Sequence, residues 1–354
     1  MNITSGQPNN PPRISRRGFV NTATTVAGGL LLAGYSVERH GSAIGAPPQQ
    51  KDEGGSFSAP LFNERIAVNV TGCFAGRDIY SALETAGKLG FQSVAALPGG
   101  KPKHSLGELP TLGFYDADET GRQRIKKALS RFKHISIHQA WDNKWRDWID
   151  CACYVGAEVV TIHPPVRKRA EPIDRYLETQ ARFYCEVGDY AQRKGVRIGL
   201  ENSAGCYDDY VRLIKAIKHP VMGATVDVGH CSFFDEVKSI SDPNQRARKL
   251  NDVIGQLVRD LGPGLCHFHL HNVRRQEEVD FSKMANRRWE PGSFVDHRCV
   301  PEGEIDFPRL FKAIKEIDYR GLFELELEEP QMEEKAVRSA EYLGVLLRQG
   351  KRLP

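Results

Sequence analysis

The stretch Ile198-Gly199-Leu200-Glu201-Asn202 joins a short apolar run to a carboxylate and an amide. Two later stretches show a similar pattern of apolar and polar residues: Val226-Asp227-Val228-Gly229-His230 and His267-Phe268-His269-Leu270-His271-Asn272. Short apolar runs of this kind are typical of strands that are buried on both faces of a parallel sheet. Active sites of closed α/β barrels lie where such strands end. The three stretches therefore predict parallel strands that end at a common site.

On both sides of these stretches, from residue 64 onward, the chain alternates short β-rich runs with longer amphipathic runs. The predicted strands cover residues 65–70, 93–97, 134–138, 159–163, 196–201, 222–227, 265–271 and 321–327. The predicted helices cover residues 78–89, 122–132, 141–155, 173–194, 207–218, 246–261, 307–317 and 333–348. Such alternation implies parallel pairing, and eight repeats over about 295 residues predict one closed (β/α)8 TIM barrel over residues 61–354. A doubly wound open sheet is the alternative, although no GxGxxG motif follows the first strand.

The composition is that of an ordinary globular protein, with 40% hydrophobic and 27% charged residues in a chain of 354. These values exclude collagen-like, coiled-coil and largely disordered chains. A net charge of +4, from 49 basic and 45 acidic residues, is too small to indicate a nucleic-acid partner. Beyond the N-terminal segment no apolar run reaches the length of about 18 residues that a spanning helix needs, so we expect no stable membrane span.

The N-terminal segment carries Ser15-Arg16-Arg17-Gly18-Phe19-Val20 before a mildly apolar run over residues 23–35. A twin arginine ahead of such a run resembles a twin-arginine export signal. We predict a signal segment over residues 1–45, a linker rich in Pro, Gln and Gly over residues 46–60, and an exported, periplasmic protein. A retained N-terminal anchor and an ordinary basic N-terminus before a helix are the alternatives.

Six of the eight predicted strands end in a side chain that could bind a metal ion. Side chains alternate along a strand, so every second residue of the seventh and eighth strands shares one face. Carboxylates and imidazoles that point into a barrel mouth are costly unless they are paired or bind a cation. The core set predicted to hold one divalent metal (Mn, Zn, Co or Mg) consists of Glu201, Asp227, His269 and Glu326. Structural roles are expected for His267, His271, Glu324 and Glu328.

Residues 62–350 resemble the xylose isomerase-like TIM-barrel superfamily, which contains sugar isomerases and epimerases and the related apurinic endonucleases. The resemblance rests on the three stretches above and on two later ones, Glu302-Gly303-Glu304-Ile305-Asp306-Phe307 and Tyr319-Arg320-Gly321-Leu322-Phe323-Glu324-Leu325-Glu326. In the ketose 3-epimerase-like branch, Glu, Asp, His and Glu from four strands hold one metal, and the resemblance implies these ligand roles for the core set. It also implies that His230 and Arg275 contact the substrate.

The endonuclease branch of this superfamily binds three zinc ions, which leaves a second or third metal open. The resemblance to it implies site roles for His138, His163 and His297, which we group with the substrate-binding residues. The Asp-x-His pattern of that branch is broken here, since Asp296 directly precedes His297. The seventh strand and the long loop after it also resemble those of mannonate dehydratases, which makes a lyase another alternative.

The resemblance implies a metal-dependent sugar isomerase or epimerase that acts through an enediolate on a free sugar or a sugar acid. A cation polarises the carbonyl, and two carboxylates can remove and return the adjacent proton. Glu201 and Glu326 are the predicted acid–base pair as well as metal ligands. The loop over residues 272–303 carries arginines that favour an acidic sugar; they are Arg274, Arg275, Arg287, Arg288 and Arg298.

Two other functions stay open at this point: a hydrolase of the phosphodiesterase or endonuclease type with several metals, and a sugar-binding barrel without catalysis. The expected partner is a small sugar rather than a nucleic acid. Assembly into a homo-oligomer is an open alternative to a monomer.

Overall fold

The computed structural model describes residues 61–100, 103–104, 107–140, 142–283 and 292–349. The predicted signal segment (residues 1–45) and linker (residues 46–60) lie outside the described residues, as do Arg287 and Arg288. All described residues belong to one compact unit of the chain. Among them, no helix combines the length and the apolarity needed to cross a membrane.

Eight short strands form a closed barrel within the described part of the chain. They are β1 (Ile66–Asn69), β2 (Ser93–Ala96), β3 (His134–His138), β4 (Val159–Ile162), β5 (Arg197–Glu201), β6 (Met222–Asp227), β7 (Leu265–Leu270) and β8 (Phe323–Leu325). Each pairs in parallel with its neighbours in sequence, and β8 closes the barrel against β1. The predicted (β/α)8 TIM barrel is confirmed, and the open sheet is wrong because the described barrel strands leave no free edge.

A long helix follows each barrel strand. The helices are α1 (Ile79–Lys88), α2 (Glu119–Leu129), α3 (Trp145–Val155), α4 (Ile173–Lys194), α5 (Tyr207–Ala216), α6 (Pro243–Leu261), α7 (Phe307–Glu316) and α8 (Met332–Gln349). Four of them begin after an aspartate whose side chain accepts backbone N–H groups of the first turn: Asp78, Asp118, Asp242 and Asp306. Short helices over Val70–Cys73 and Asp235–Lys238 lie in the loops.

Five of the barrel strands end one or two residues earlier than predicted. β7 ends at Leu270, and β8 ends at Leu325, so that Glu326 lies just beyond its strand. The segment after β7 that was predicted as a loop contains a hairpin, in which Asn272–Arg275 pairs with Phe294–Arg298. The hairpin satisfies its own backbone hydrogen bonds, which a long irregular loop could not do where it is buried.

The two layers of the core differ in chemistry. Between strands and helices the side chains are apolar, and Phe268 stacks on Phe323 with ring centroids 5.7 Å apart. Inside the barrel, buried polar side chains replace the branched apolar residues that are usual in this fold. They are Ser136, Thr161, Thr225, His267 and Glu324. Because buried polar groups need hydrogen-bond partners, this layer must be internally paired, and its contacts lead up to the barrel mouth.

The hairpin after β7 is anchored by the turn that contains Gly303. Asn272 donates its side-chain amide to Val300 O over 2.7 Å and accepts the backbone N–H of Ile305 over 2.9 Å. Gly303 has a φ of 153°, and a Cβ added there would lie 2.2 Å from Val273 O. Only glycine fits, because both the backbone conformation and the neighbouring backbone oxygen exclude a side chain.

Gly303→Ala is expected to lower the free energy of unfolding by about 2–4 kcal/mol, because it combines a strained backbone with a clash against fixed backbone. Gly195→Ala is the matched control, since its φ of 70° is also positive but no atom lies within 4 Å of the added Cβ. The control is expected to cost about 1 kcal/mol. Denaturant unfolding measures both variants, and equal losses would contradict the role given to the close approach.

Candidate metal centre

Four strand ends bring the predicted core set together. Glu201 and Asp227 are the last residues of β5 and β6, His269 lies one residue before the end of β7, and Glu326 follows β8. One ligand atom from each lies within 4.8 Å of the others. The first three side chains are fully buried, whereas that of Glu326 is 16% exposed. The core set is therefore accessible to solvent on the side of Glu326.

The donor set fits a divalent cation. His269 Nδ1 lies 3.2 Å from Glu201 Oε1 and 3.0 Å from Glu326 Oε2. Three carboxylates and one imidazole that converge on one point supply the mixed oxygen and nitrogen ligands that Mn, Zn, Co and Mg accept. Carboxylates buried this close together repel one another unless positive charge lies between them. A cation at this point would supply that charge.

Without a cation, histidines near the carboxylates provide the balancing charge. Burial favours the neutral acid of Glu201, but the surrounding histidine rings together outweigh it and hold the pKa of Glu201 well below its ordinary value. Burial lowers the pKa of His138, yet its hydrogen bond to Glu201 and the charge of that group raise the pKa to about 9. For His230, burial is outweighed by Asp227 and Glu201, and the pKa rises to about 10. A metal that takes these carboxylates would displace protons from the histidines.

His138, at the end of β3, and His163, directly after β4, both face Glu201. The Nε2 atom of each ring lies 3.2 Å from Glu201 Oε2. Burial lowers the pKa of His163 to about 4, so this ring is neutral at pH 7 and is a weaker base than His138 or His230. His138, Glu201 and His269 form a further group of possible metal ligands within 4.8 Å. The structure brings both predicted histidines to the site, while their contact with substrate stays a prediction.

A second cluster of histidines lies against Asp227. The backbone N–H of His230 donates to Asp227 Oδ1 over 2.7 Å, and His271 Nε2 lies 2.9 Å from Asp227 Oδ2. His297 stacks on His271 with ring centroids 4.2 Å apart. Ligand atoms of these four residues lie within 4.8 Å of one another, so the cluster could hold another cation. His230 also lies 3.2 Å from Glu201 Oε1, which joins this cluster to the core set.

The structure places two residues at this cluster that the sequence did not assign to it. His271, for which a structural role is expected, lies in the cluster beside Asp227; its shared face with His269 in the predicted strand is the sequence signal for this position. Asp296 directly precedes His297, so the Asp-x-His pattern of the endonuclease branch stays broken in this sequence. His297 has a φ of 57°, and this left-handed backbone lets both neighbours reach the cluster, with Asp296 Oδ2 3.1 Å from His297 Nδ1.

Arg275 lies outside these groups. Its Nε donates to Glu304 Oε1 over 2.6 Å, and its Nη2 donates to Asn244 Oδ1 over 2.8 Å. Arg274 and Arg298 are likewise bound to neighbouring groups of the protein. The described arginines of this segment therefore already have partners, and recognition of an acidic sugar by them would require an exchange of those partners.

Comparison with known proteins identifies the family to which this barrel belongs. The family model for the xylose isomerase-like TIM barrel matches residues 83–345. A solved xylose isomerase-like TIM barrel protein from Mycobacterium smegmatis, in complex with magnesium, is 18% identical and has a TM-score of 0.57, with 80% of this chain and 97% of that chain covered. A D-psicose 3-epimerase with D-tagatose, from Clostridium cellulolyticum H10, is 13% identical with a TM-score of 0.52, with 79% and 98% covered.

A curated relative, an uncharacterized protein of Methanocaldococcus jannaschii, is 24% identical over 190 residues. The match covers 51% of this chain and 54% of that protein, so the chain spans about half the length of the curated relative it matches. At these identities the solved structures show the fold alone, whereas the family model covers well over half of the sequence. The chain belongs to the xylose isomerase-like TIM barrel family.

Proposed function

We propose that this protein is a divalent-metal-dependent sugar isomerase or epimerase that acts through an enediolate on a free sugar or a sugar acid. The observation that carries the proposal is the convergence of Glu201, Asp227, His269 and Glu326 within 4.8 Å at the carboxyl ends of four strands. Proteins of similar fold include a D-psicose 3-epimerase and an L-ribulose 3-epimerase, and one is a magnesium complex. These names support a sugar as the substrate class.

The four core residues would hold the cation, whose chemistry is to polarise a carbonyl and to stabilise the negative charge of an enediolate. Glu201 and Glu326 approach His269 Nδ1 to within 3.2 and 3.0 Å, from β5 and from the residue after β8. The two carboxylates therefore border the reaction space from different walls. Both have a pKa below the ordinary value, so each is ionised, which is the state in which a carboxylate can accept a proton.

Removal of bound metal with a chelator is expected to abolish turnover, and addition of Mn, Co, Zn or Mg is expected to restore it. The reason is that carboxylates alone cannot stabilise the charge of the enediolate. Metal analysis of the purified protein and exchange of substrate hydrogen with deuterated water, screened over sugars and uronates, measure this. Full turnover by metal-free protein would reject the proposal.

Glu201→Gln and Glu326→Gln are each expected to lower kcat by about 10²–10⁴-fold, because each removes a proton acceptor as well as a metal ligand. Glu158→Gln is the matched control, since Glu158 precedes β4 at the opposite end of the barrel and pairs there with His134. The control is expected to keep the kcat of the wild type. Wild-type kcat in both site variants, on every sugar that the wild type converts, would contradict the acid–base roles.

A hydrolase with several metals is the second candidate, and the cluster of Asp227, His230, His271 and His297 is the observation that favours it. Together with His138 and His163, this cluster offers enough ligands for further cations around the core set. A measured content of about one metal ion per chain supports the isomerase, and a content of about three supports the hydrolase. Cleavage of a phosphodiester probe by the fully loaded protein would decide for the second candidate, and loss of water from a sugar acid would decide for a lyase.

The assignment of the first 45 residues to a twin-arginine export signal is also part of the proposal, and it places the reaction outside the cytoplasm. Phosphorylated sugars are scarce there, which favours a free sugar or a sugar acid as substrate. Arg275 is retained as a proposed substrate contact on condition that it leaves Glu304, to which it is bound in the structure.

A further inference from the structure

A buried carboxylate lies directly behind the metal-facing histidine. We propose that Glu324 is a positioning residue of the metal centre, which accepts the Nε2–H of His269 and so keeps Nδ1 free to bind the cation. The inference rests on the proposed function, because it presupposes that His269 is a ligand. It assigns a role to a residue that lies inside the barrel and outside the core set.

The two nitrogens of His269 face different surroundings. Nδ1 points to the core set, where it lies close to Glu201 and Glu326. Nε2 points into the barrel, where Glu324 Oε2 and Thr161 Oγ1 each lie 3.5 Å away. A neutral imidazole that binds a metal through Nδ1 must carry its proton on Nε2. His269 is fully buried, and these two oxygens are the acceptors that the described side chains place near that proton.

The carboxylate of Glu324 is held in place by side chains from three other strand positions. Asn69 Nδ2 donates to Oε1 over 2.8 Å, Ser136 Oγ donates to Oε2 over 2.9 Å, and His267 Nε2 lies 2.8 Å from the same oxygen. These partners come from β1, β3 and β7, so the closed barrel itself fixes the position of Oε2. Because the acceptor is already fixed, it loses little further conformational entropy when it binds the imidazole.

Stability alone gives no reason for a carboxylate at this position. Glu324 is only 1% exposed, and barrel interiors in this fold are normally filled with branched apolar side chains. A buried ionised group pays a large desolvation cost, and an apolar replacement of the whole cluster is often as stable or more stable. A carboxylate behind a metal-binding histidine, by contrast, orients the ring and makes the opposite nitrogen a stronger ligand.

Glu324 is favoured over Thr161 as the acceptor because a carboxylate accepts a stronger hydrogen bond than a hydroxyl does. The hydroxyl of Thr161 also has another partner, Thr225 Oγ1, at 3.2 Å. The two oxygens lie at equal distances from the same nitrogen, so the chain itself provides a matched pair of variants. Glu324→Gln removes the charge with little change in volume, and Thr161→Val removes the hydroxyl with little change in shape.

The test is an optical titration of the metal-free full chain with Co²⁺, which reports affinity, stoichiometry and ligand geometry without any enzymatic assay. Glu324→Gln is expected to weaken the binding of Co²⁺ by about 10–100-fold while the number of bound ions and the position of the absorption bands stay as in the wild type. Thr161→Val is expected to bind Co²⁺ within about threefold of the wild type. Circular dichroism and thermal unfolding confirm that both variants are folded.

Equal affinity of the wild type and Glu324→Gln would overturn the inference while leaving the proposed function standing. A large loss in Thr161→Val together with none in Glu324→Gln would also overturn it, in favour of the hydroxyl. Fewer bound ions in Glu324→Gln would identify Glu324 as a ligand of a separate ion and would overturn the positioning role. A wild type that binds no Co²⁺ would reject the proposed function itself.

Should Glu324→Gln fail to fold, Glu324→Asp takes its place in the same titration. The aspartate keeps the negative charge but withdraws the oxygen from the imidazole by one methylene group. It is expected to weaken the binding of Co²⁺ by about tenfold or more, because orientation of the ring depends on a direct hydrogen bond. Unchanged affinity in a folded Glu324→Asp variant would overturn the inference.

Discussion

Positive charge beside the enclosed carboxylate of Glu201 is the interaction on which the rest of the site depends. This group is fully buried, and an ionised carboxylate is stable there only when opposite charge or hydrogen-bond donors surround it. Four imidazoles lie 3.2 Å from its oxygens; those of His138, His230 and His269 have a raised pKa and carry the charge, whereas that of His163 is neutral. They come from four different segments of the chain, so closure of the barrel is what brings the neutralising groups to one point.

The polar contacts continue below the mouth as an unbroken series. Asn69 and Ser136 hold Glu324, Glu324 lies behind His269, and His269 faces Glu201. Such a series replaces apolar packing that would stabilise the barrel at lower cost, and natural proteins accept costs of this kind at functional sites. The position of the polar layer, directly beneath the core set, agrees with its proposed use as support for a metal centre.

The hairpin after β7 places further side chains beside the candidate metal centre. It carries His297 in a left-handed conformation, which a histidine adopts only when the surrounding structure enforces it. The enforcement comes from packing on His271 and from a hydrogen bond that the backbone N–H of His297 donates to His271 Nδ1 over 2.9 Å. The strained residue thus lies at the rim of the candidate metal centre, where it brings Asp296 within reach of the cluster.

Local periodicity in the sequence was enough to predict the barrel, because strands alternate with helices, and it placed candidate ligands such as Glu201 and His269 at strand ends. It did not determine the place of His271, the partners of Arg275 or the joint reach of Asp296 and His297. Those depend on distances between segments far apart in the chain and on one left-handed backbone angle that no residue type encodes. Only closure of the barrel and packing of the hairpin against it decide them, since both set which charged groups are buried next to one another.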